Sequence, residues 1–211
     1  MAKWIDVSMD IFTGMTVWPG DEGVVLERTD SLEQGAAANV SRLRCSVHTG
    51  THVDAPLHFI AGGSAVEQLP LETLCGPAWT ASFVQAERIT AELLAVAGIP
   101  EETKRLLLRT SNSEVVAESA PFLDRYVGLD AGAAEWIVRH GIRLVGIDYL
   151  SVAAPDQTGR VHQILLKENI ILVEGLRLSE VPAGPCRFYC LPLKLVGSDG
   201  APARVMVEAE Q

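Results

Sequence analysis

The chain has 211 residues, 48% of them hydrophobic and 21% charged, which fits one sizeable α/β domain spanning residues 1–211 and excludes fibrous and disordered classes. Seventeen Lys and Arg stand against 27 Asp and Glu, a net charge of −10, which sets the chain against nucleic acid and anionic membranes as partners. No apolar run approaches membrane-spanning length, and the opening MAKWIDVSMD carries no signal-peptide core; a cytoplasmic protein with four reduced, scattered cysteines is expected.

In chain order, β-rich runs predict strands over 23–30 (GVVLERTD), 39–54 (NVSRLRCSVHTGTHVD), 78–85 and 105–111. Helical periodicity covers TAELLAVAG and DAGAAEWIVRHG, and each segment stops at a glycine, Gly98 or Gly141, where a C-cap belongs. Further strands are expected over 142–148 (IRLVGID), 169–176 (NIILVEGL), 186–195 and 203–209, with a short helix over 161–169. The helix before IRLVGID makes half of an α/β unit, whereas the later strands follow one another with no long helix between them. An α/β domain on a mixed sheet is the expectation. In CRFYC the two cysteines are three residues apart, unlike the usual redox or zinc spacing, and both read as strand positions.

The chemistry concentrates in VHTGTHVDAPLHF, residues 47–59, which holds three of the five histidines. Thr49, Thr51 and Val53 favour a strand, and Pro56 would break a helix. On a strand, His48, Gly50, His52 and Asp54 share one face. Two imidazoles and a carboxylate then line it, a ligand set that suits zinc or manganese. The competing reading is a polar strand face open to water. Far along the chain, Glu174 interrupts an apolar strand, where a carboxylate is costly unless it is paired or binds metal; a strand end reaching water is the alternative. His162 stands near the start of the helix at 161–169. Together, His162 and Glu174 could complete two neighbouring metal sites bridged by the two oxygens of Asp54.

H-T-G-T-H-V-D-A-P-L-H-F resembles the signature of the cyclase-family metal-dependent hydrolases, whose best-known members are bacterial kynurenine formamidases. VWPGD (17–21), LLLRTSNS (106–113), GIRLVGIDYLSV (141–152), ILVEGL (171–176) and LPLKLVGSDGAPAR (191–204) are similar to the family in the same order. The resemblance implies a swivelling β/β/α fold, assembled as a homodimer or homotetramer. It implies that His48, His52 and Asp54 bind one divalent ion and that Asp54, His162 and Glu174 contribute to a second, Glu174 also reaching the first. It makes His58 the proton donor and acceptor and gives Trp18 a place in the substrate pocket. DYLS at 148–151 departs from the DTPS common in kynurenine formamidases.

The function expected is metal-dependent hydrolysis of a small-molecule amide, N-formylkynurenine to kynurenine and formate, within tryptophan catabolism. Alternatives are hydrolysis of a cyclic amide or lactone, as in isatin hydrolases, and a metal- or small-ligand-binding protein without catalysis. Two ions per chain are expected, zinc first and manganese second. His58, beyond the Pro56 bend and with an ordinary pKa near neutrality, suits proton transfer to the leaving amine; a core histidine bonded to backbone is its alternative. Trp18 could stack on an aromatic substrate or simply pack. His140 reads as a helix cap. Asp148 reads either as the orienting partner of a ligand histidine or as an ordinary strand-end acid. TSNS offers no recognisable nucleophile arrangement, and GSDG reads as a turn.

Overall fold

The computed structural model describes residues 3–115 and 121–209. Ten strands appear in chain order: β1 (Lys3–Asp6), β2 (Val25–Asp30), β3 (Val40–Arg44), β4 (His52–Asp54), β5 (Cys75–Phe83), β6 (Arg105–Thr110), β7 (Leu144–Ile147), β8 (Ile171–Glu174), β9 (Gly184–Pro192) and β10 (Gly200–Ala209). The helices are α1 (Leu71–Leu74), α2 (Ala91–Val96), α3 (Asn112–Val115), α4 (Ala131–Arg139) and α5 (Thr158–Lys167).

Eight strands form one mixed sheet in the order β1-β10-β4-β8-β7-β6-β5-β9, and β10 also pairs with β9, which closes the sheet into a barrel-like core. The run β5-β6-β7-β8 is parallel and every other pairing is antiparallel. This is the mixed α/β sheet expected from the switch in connection length along the chain. Alternation along the parallel strands divides the apolar residues between two cores. Leu107, Leu144 and Val173 point into the barrel with Val53, Phe188 and Val205. Leu106, Leu108, Val145 and Leu172 face the helices, against Leu94, Trp136, Ile137 and Leu165.

Local chemistry sets the helix ends. The Asp130 carboxylate accepts from Ala133 N at 2.8 Å and starts α4. Gly98 (φ +67°) and Gly141 (φ +65°) are left-handed just beyond α2 and α4, as their positions implied. Helix α5 begins at Thr158, earlier than the 161–169 expected, and the left-handed residue behind it is Asn169. The single strand expected over 39–54 is a correction: β3 ends at Arg44, residues 45–51 turn, and only His52–Asp54 pair as β4. Gly50 at φ +60° breaks the extended run. The short strand β1 was not anticipated. Strands β2 and β3 form a separate two-stranded sheet whose residues are almost all exposed.

Candidate active site

The site forms where β4, β8 and the start of β10 meet. Antiparallel pairing of β4 with β8 sets His52 opposite Glu174, and pairing with β10 sets Asp54 opposite Gly200. Three residues from two strands are thereby fixed by backbone register alone. His48 reaches them by a different route from the strand face expected of it. It sits in the 45–51 turn, which folds back so that its Nδ1 lies 2.9 Å from Asp54 Oδ1. The two backbones touch here: a Cβ on Gly175 (φ +69°) would stand 2.3 Å from Gly50 O, so β8 can lie against the histidine turn only with glycine in that place.

The two carboxylates divide their oxygens. Asp54 Oδ1 faces His48 and His52 Nε2 (3.5 Å), whereas Oδ2 faces His162 Nε2 at 3.6 Å. Glu174 Oε2 faces His52 Nε2 at 3.4 Å and Oε1 faces His162 Nε2 at 3.2 Å. Glu174 is 3% exposed, which rules out the strand end reaching water; its Oε1 also accepts from Val152 N at 2.6 Å. The imidazoles are aimed from behind. His52 Nδ1–H donates to Gly50 O (2.9 Å) and His162 Nδ1–H to Thr158 O (2.7 Å), which turns each Nε2 toward the carboxylates.

Burial opposes charge on these groups, and mutual pairing overrides it. For His48, the Asp54 and Asp199 carboxylates outweigh desolvation and push it up to about 9. His52 and His162 are raised in the same way, by Glu174 and Asp54 against the burial that lowers them. Asp54 is held far below the usual carboxylate range although burial raises it, through its bond to His48 and the neighbouring imidazoles. Burial and Asp54 raise Glu174, yet His162 and His52 bring it down. Two buried carboxylates in this setting require positive charge, from imidazole protons or from a cation. Among the described residues Asp54 Oδ2 has no hydrogen-bond partner although it is buried. A buried carboxylate oxygen with no proton donor, facing a histidine nitrogen within a set of imidazoles and carboxylates, fits a divalent metal.

His58 lies on the short 3-10 turn Pro56–His58, with its ring 4.0 Å from that of His48. Its Nδ1–H donates to Asp199 at 3.1 Å. The side chain is 28% exposed, so the fully packed core histidine is excluded, and burial lowers its pKa. A cavity of about 220 Å³ opens over the centre, with Trp18, Asp21, Phe59, Leu150, Ser151 and Thr158 among its lining residues. Trp18 therefore faces this cavity, and it also packs edge-on to Phe122 at 5.1 Å. A larger groove of about 720 Å³, between the β2–β3 hairpin and Leu191–Leu195, contains none of these groups.

Of the two readings of Asp148 the ordinary acid holds, and GSDG is more than a turn. Asp148 touches no histidine: it accepts from Thr110 N and Oγ1 (both 2.7 Å) and Ser113 Oγ (2.6 Å), so TSNS and this acid form a buried turn. GSDG does turn, but its Asp199 carboxylate enters the site and accepts from His48 Nε2–H at 2.8 Å. Its position within LPLKLVGSDGAPAR was the only sequence signal. His140 caps α4 as read, its Nδ1–H donating to Trp136 O at 2.8 Å.

Imidazoles and shared carboxylates beside an open cavity define a metal-dependent enzyme. The chain belongs to the cyclase family: the family model described as "Putative cyclase" matches residues 5–154. "Cyclase-like protein 1" of Oryza sativa subsp. japonica is 42% identical over 193 residues, covering 88% of this chain and 70% of that protein. "Kynurenine formamidase" of Bacillus cereus is 36% identical over 207 residues, 98% of this chain and 97% of that one. The solved structure titled "The Structure Of Potential Metal-Dependent Hydrolase With Cyclase Activity" superposes with a TM-score of 0.85 at 36% identity over the whole of both chains. Isatin hydrolase A from Labrenzia aggregata shares the fold, with a TM-score of 0.86, at 22% identity, covering 100% of this chain and 94% of that one.

Proposed function

We propose that this chain is a metal-dependent amide hydrolase that cleaves N-formyl arylamines, N-formylkynurenine foremost, to the arylamine and formate. The observation that carries the reading is the division of Asp54 and Glu174 between two sets of imidazoles at the floor of an aromatic-lined cavity. His48, His52 and Asp54 would hold one ion, with Glu174 in reach of it, and Asp54, His162 and Glu174 would hold a second; among these, His52, Asp54 and Glu174 bring ligand atoms within 4.8 Å of one another. Zinc suits the imidazole-rich set best, and manganese is next. Bound there, such ions lower the pKa of water toward neutrality and polarise the carbonyl.

The chain's own side chains supply the rest. Water adds to the formyl carbon and the C–N bond breaks. His58, which lines the cavity close to His48, takes on its free Nε2 the proton that the water loses and passes it to the departing amine. Trp18 and Phe59 line the cavity and supply aromatic surface for the aryl ring. Full-length likeness to the Bacillus cereus formamidase favours the acyclic formamide over a cyclic amide, for which the structural likeness stands at 22% identity. The reaction belongs to tryptophan catabolism, placed in the cytoplasm; no helix among the described residues is long and apolar enough to cross a membrane.

A homodimer or homotetramer is proposed as the working form. The β2–β3 hairpin supports it, with Leu26, Val40 and Leu43 about half exposed, because an isolated two-stranded sheet is marginal in water. The functional test is formate release from N-formylkynurenine against a panel of formanilides, isatin and simple lactones, with elemental analysis of protein purified without chelator. Turnover of the cyclic substrates alone would replace the formamidase reading, and metal without turnover would make the protein a binder.

A further inference from the structure

We infer that Asp199 is a positioning residue that fixes the ring orientation and tautomer of both His48 and His58 through one carboxylate oxygen. The inference rests on the metal-dependent reading of the site above. Asp199 Oδ2 lies 2.8 Å from His48 Nε2 and 3.1 Å from His58 Nδ1. A carboxylate oxygen has two lone pairs, so it accepts from both rings at once. His48 with its proton on Nε2 leaves Nδ1 bare, 2.9 Å from Asp54 Oδ1. At that distance a positive charge is needed, either a second proton on the ring or, where a divalent ion is bound, the ion in its place, and the Asp199 acceptor keeps Nε2 protonated in both cases. His58 with its proton on Nδ1 leaves Nε2 free for the cavity it lines. One acid thus sets the metal-facing atom of one histidine and the proton-carrying atom of the other.

A half-exposed surface acid would be the ordinary explanation, since the Asp199 side chain is 42% exposed. The backbone argues otherwise. Ala55 N donates to Asp199 O and Val66 N to Ser198 O, both at 2.9 Å, and Ser198 Oγ–H donates to Gly200 O at 2.7 Å. Gly200 pairs with Asp54 in the sheet, and a Cβ on Gly200 would meet His48 Cε1 at 2.7 Å. The turn is therefore tied to the segment carrying His52, Asp54 and His58 and pressed against the His48 ring. A carboxylate mounted in this way stays where the two rings need it.

The test compares wild type, Asp199→Ala and the isosteric Asp199→Asn, each loaded with zinc. His48 is read by the rate of zinc release to a chelator, and His58 by the tautomer signature of its ring nitrogens in long-range ¹H–¹⁵N spectra. Asp199→Ala should release zinc roughly 10–100-fold faster and lose kcat on the same scale, the usual cost of removing such an orienting partner, with KM within about two-fold. Its His58 signals should move from the Nδ1–H form to a mixture. Asp199→Asn keeps an acceptor oxygen and should fall between the two, and it decides the matter if the alanine variant folds poorly. Zinc release and His58 signals equal to wild type would overturn the assignment. Absence of formanilide turnover in wild type would remove the formamidase reading alone, since zinc release and tautomer still test Asp199.

Discussion

Gly175→Ala is the sharpest physical test of how the fold builds the centre. At φ +69°, an alanine costs about 1–2 kcal/mol in the left-handed region. Its Cβ would stand 2.3 Å from Gly50 O, 2.8 Å from Gly50 C and 3.1 Å from Thr51 N, roughly 1 Å inside a comfortable contact. The offending atoms are backbone, so no side chain can swing aside. Gly175 cannot retreat freely either: its N–H donates to Tyr149 O at 2.7 Å, and Thr51 Oγ1–H donates to its carbonyl at 2.6 Å. Forcing the segments apart adds about 1–3 kcal/mol of overpacking, for a total of about 2–5 kcal/mol. In a chain of this size that lowers Tm by roughly 4–20 °C, measured by thermal unfolding of metal-free protein. Because the displaced atoms carry His48 and His52 opposite Glu174, metal content after dialysis should fall as well. Gly159→Ala, in α5 with nothing within 4 Å, is the control and should be neutral or stabilising by up to about 1 kcal/mol. A Gly175→Ala protein with full metal content and a Tm within about 2 °C of wild type would refute the close-contact account.

The remaining expectations concern chemistry and assembly. His58→Ala should keep its metal and lose turnover by about a hundred-fold or more, with formanilides of low-pKa amines least affected; loss of metal, or an equal rate loss across the graded series, would make His58 something other than a proton donor. Trp18→Ala should raise KM for aryl formamides several-fold while leaving N-methylformamide, which has no ring to stack, unchanged. Chelator treatment should abolish turnover and lower Tm, and added zinc should restore both; a chelated protein that melts unchanged would contradict the need for a cation beside Asp54 Oδ2. Leu43→Glu, in the exposed hairpin, should reduce the mass found by light scattering, and an unchanged mass would move the proposed interface elsewhere.

The parts of the site legible in the sequence were those encoded by chemical scarcity. Three histidines and an aspartate within a few residues, and an acid ending an apolar strand, are costly patterns without a ligand, and they led to His48, His52, Asp54 and Glu174. His48 reaches the site by a route that strand alternation does not predict. Strand alternation would have set it beside His52, but Gly50 turns the chain and brings it back by a fold. A glycine between two β-branched threonines could mark room for a ligand or a left-handed break, and only packing against Gly175 decides between them. Short β1 failed to register because four residues of mixed polarity, KWID, carry almost no periodic signal.

Asp199 marks a different limit. Within GSDG it has the composition of any surface turn, and nothing local distinguishes it. Its role arises from register: β10 enters the sheet beside β4 with Gly200 opposite Asp54, and this throws the preceding residue onto two histidines more than 140 positions away in sequence. The same register explains the glycine that follows it, since a side chain there would collide with the His48 ring. The SDG turn therefore has two constraints that act together, an acceptor aimed at the imidazoles and an open space for one of them. Moving the aspartate one residue along, by exchanging Asp199 and Gly200, would keep the composition of the turn. It would break both constraints at once.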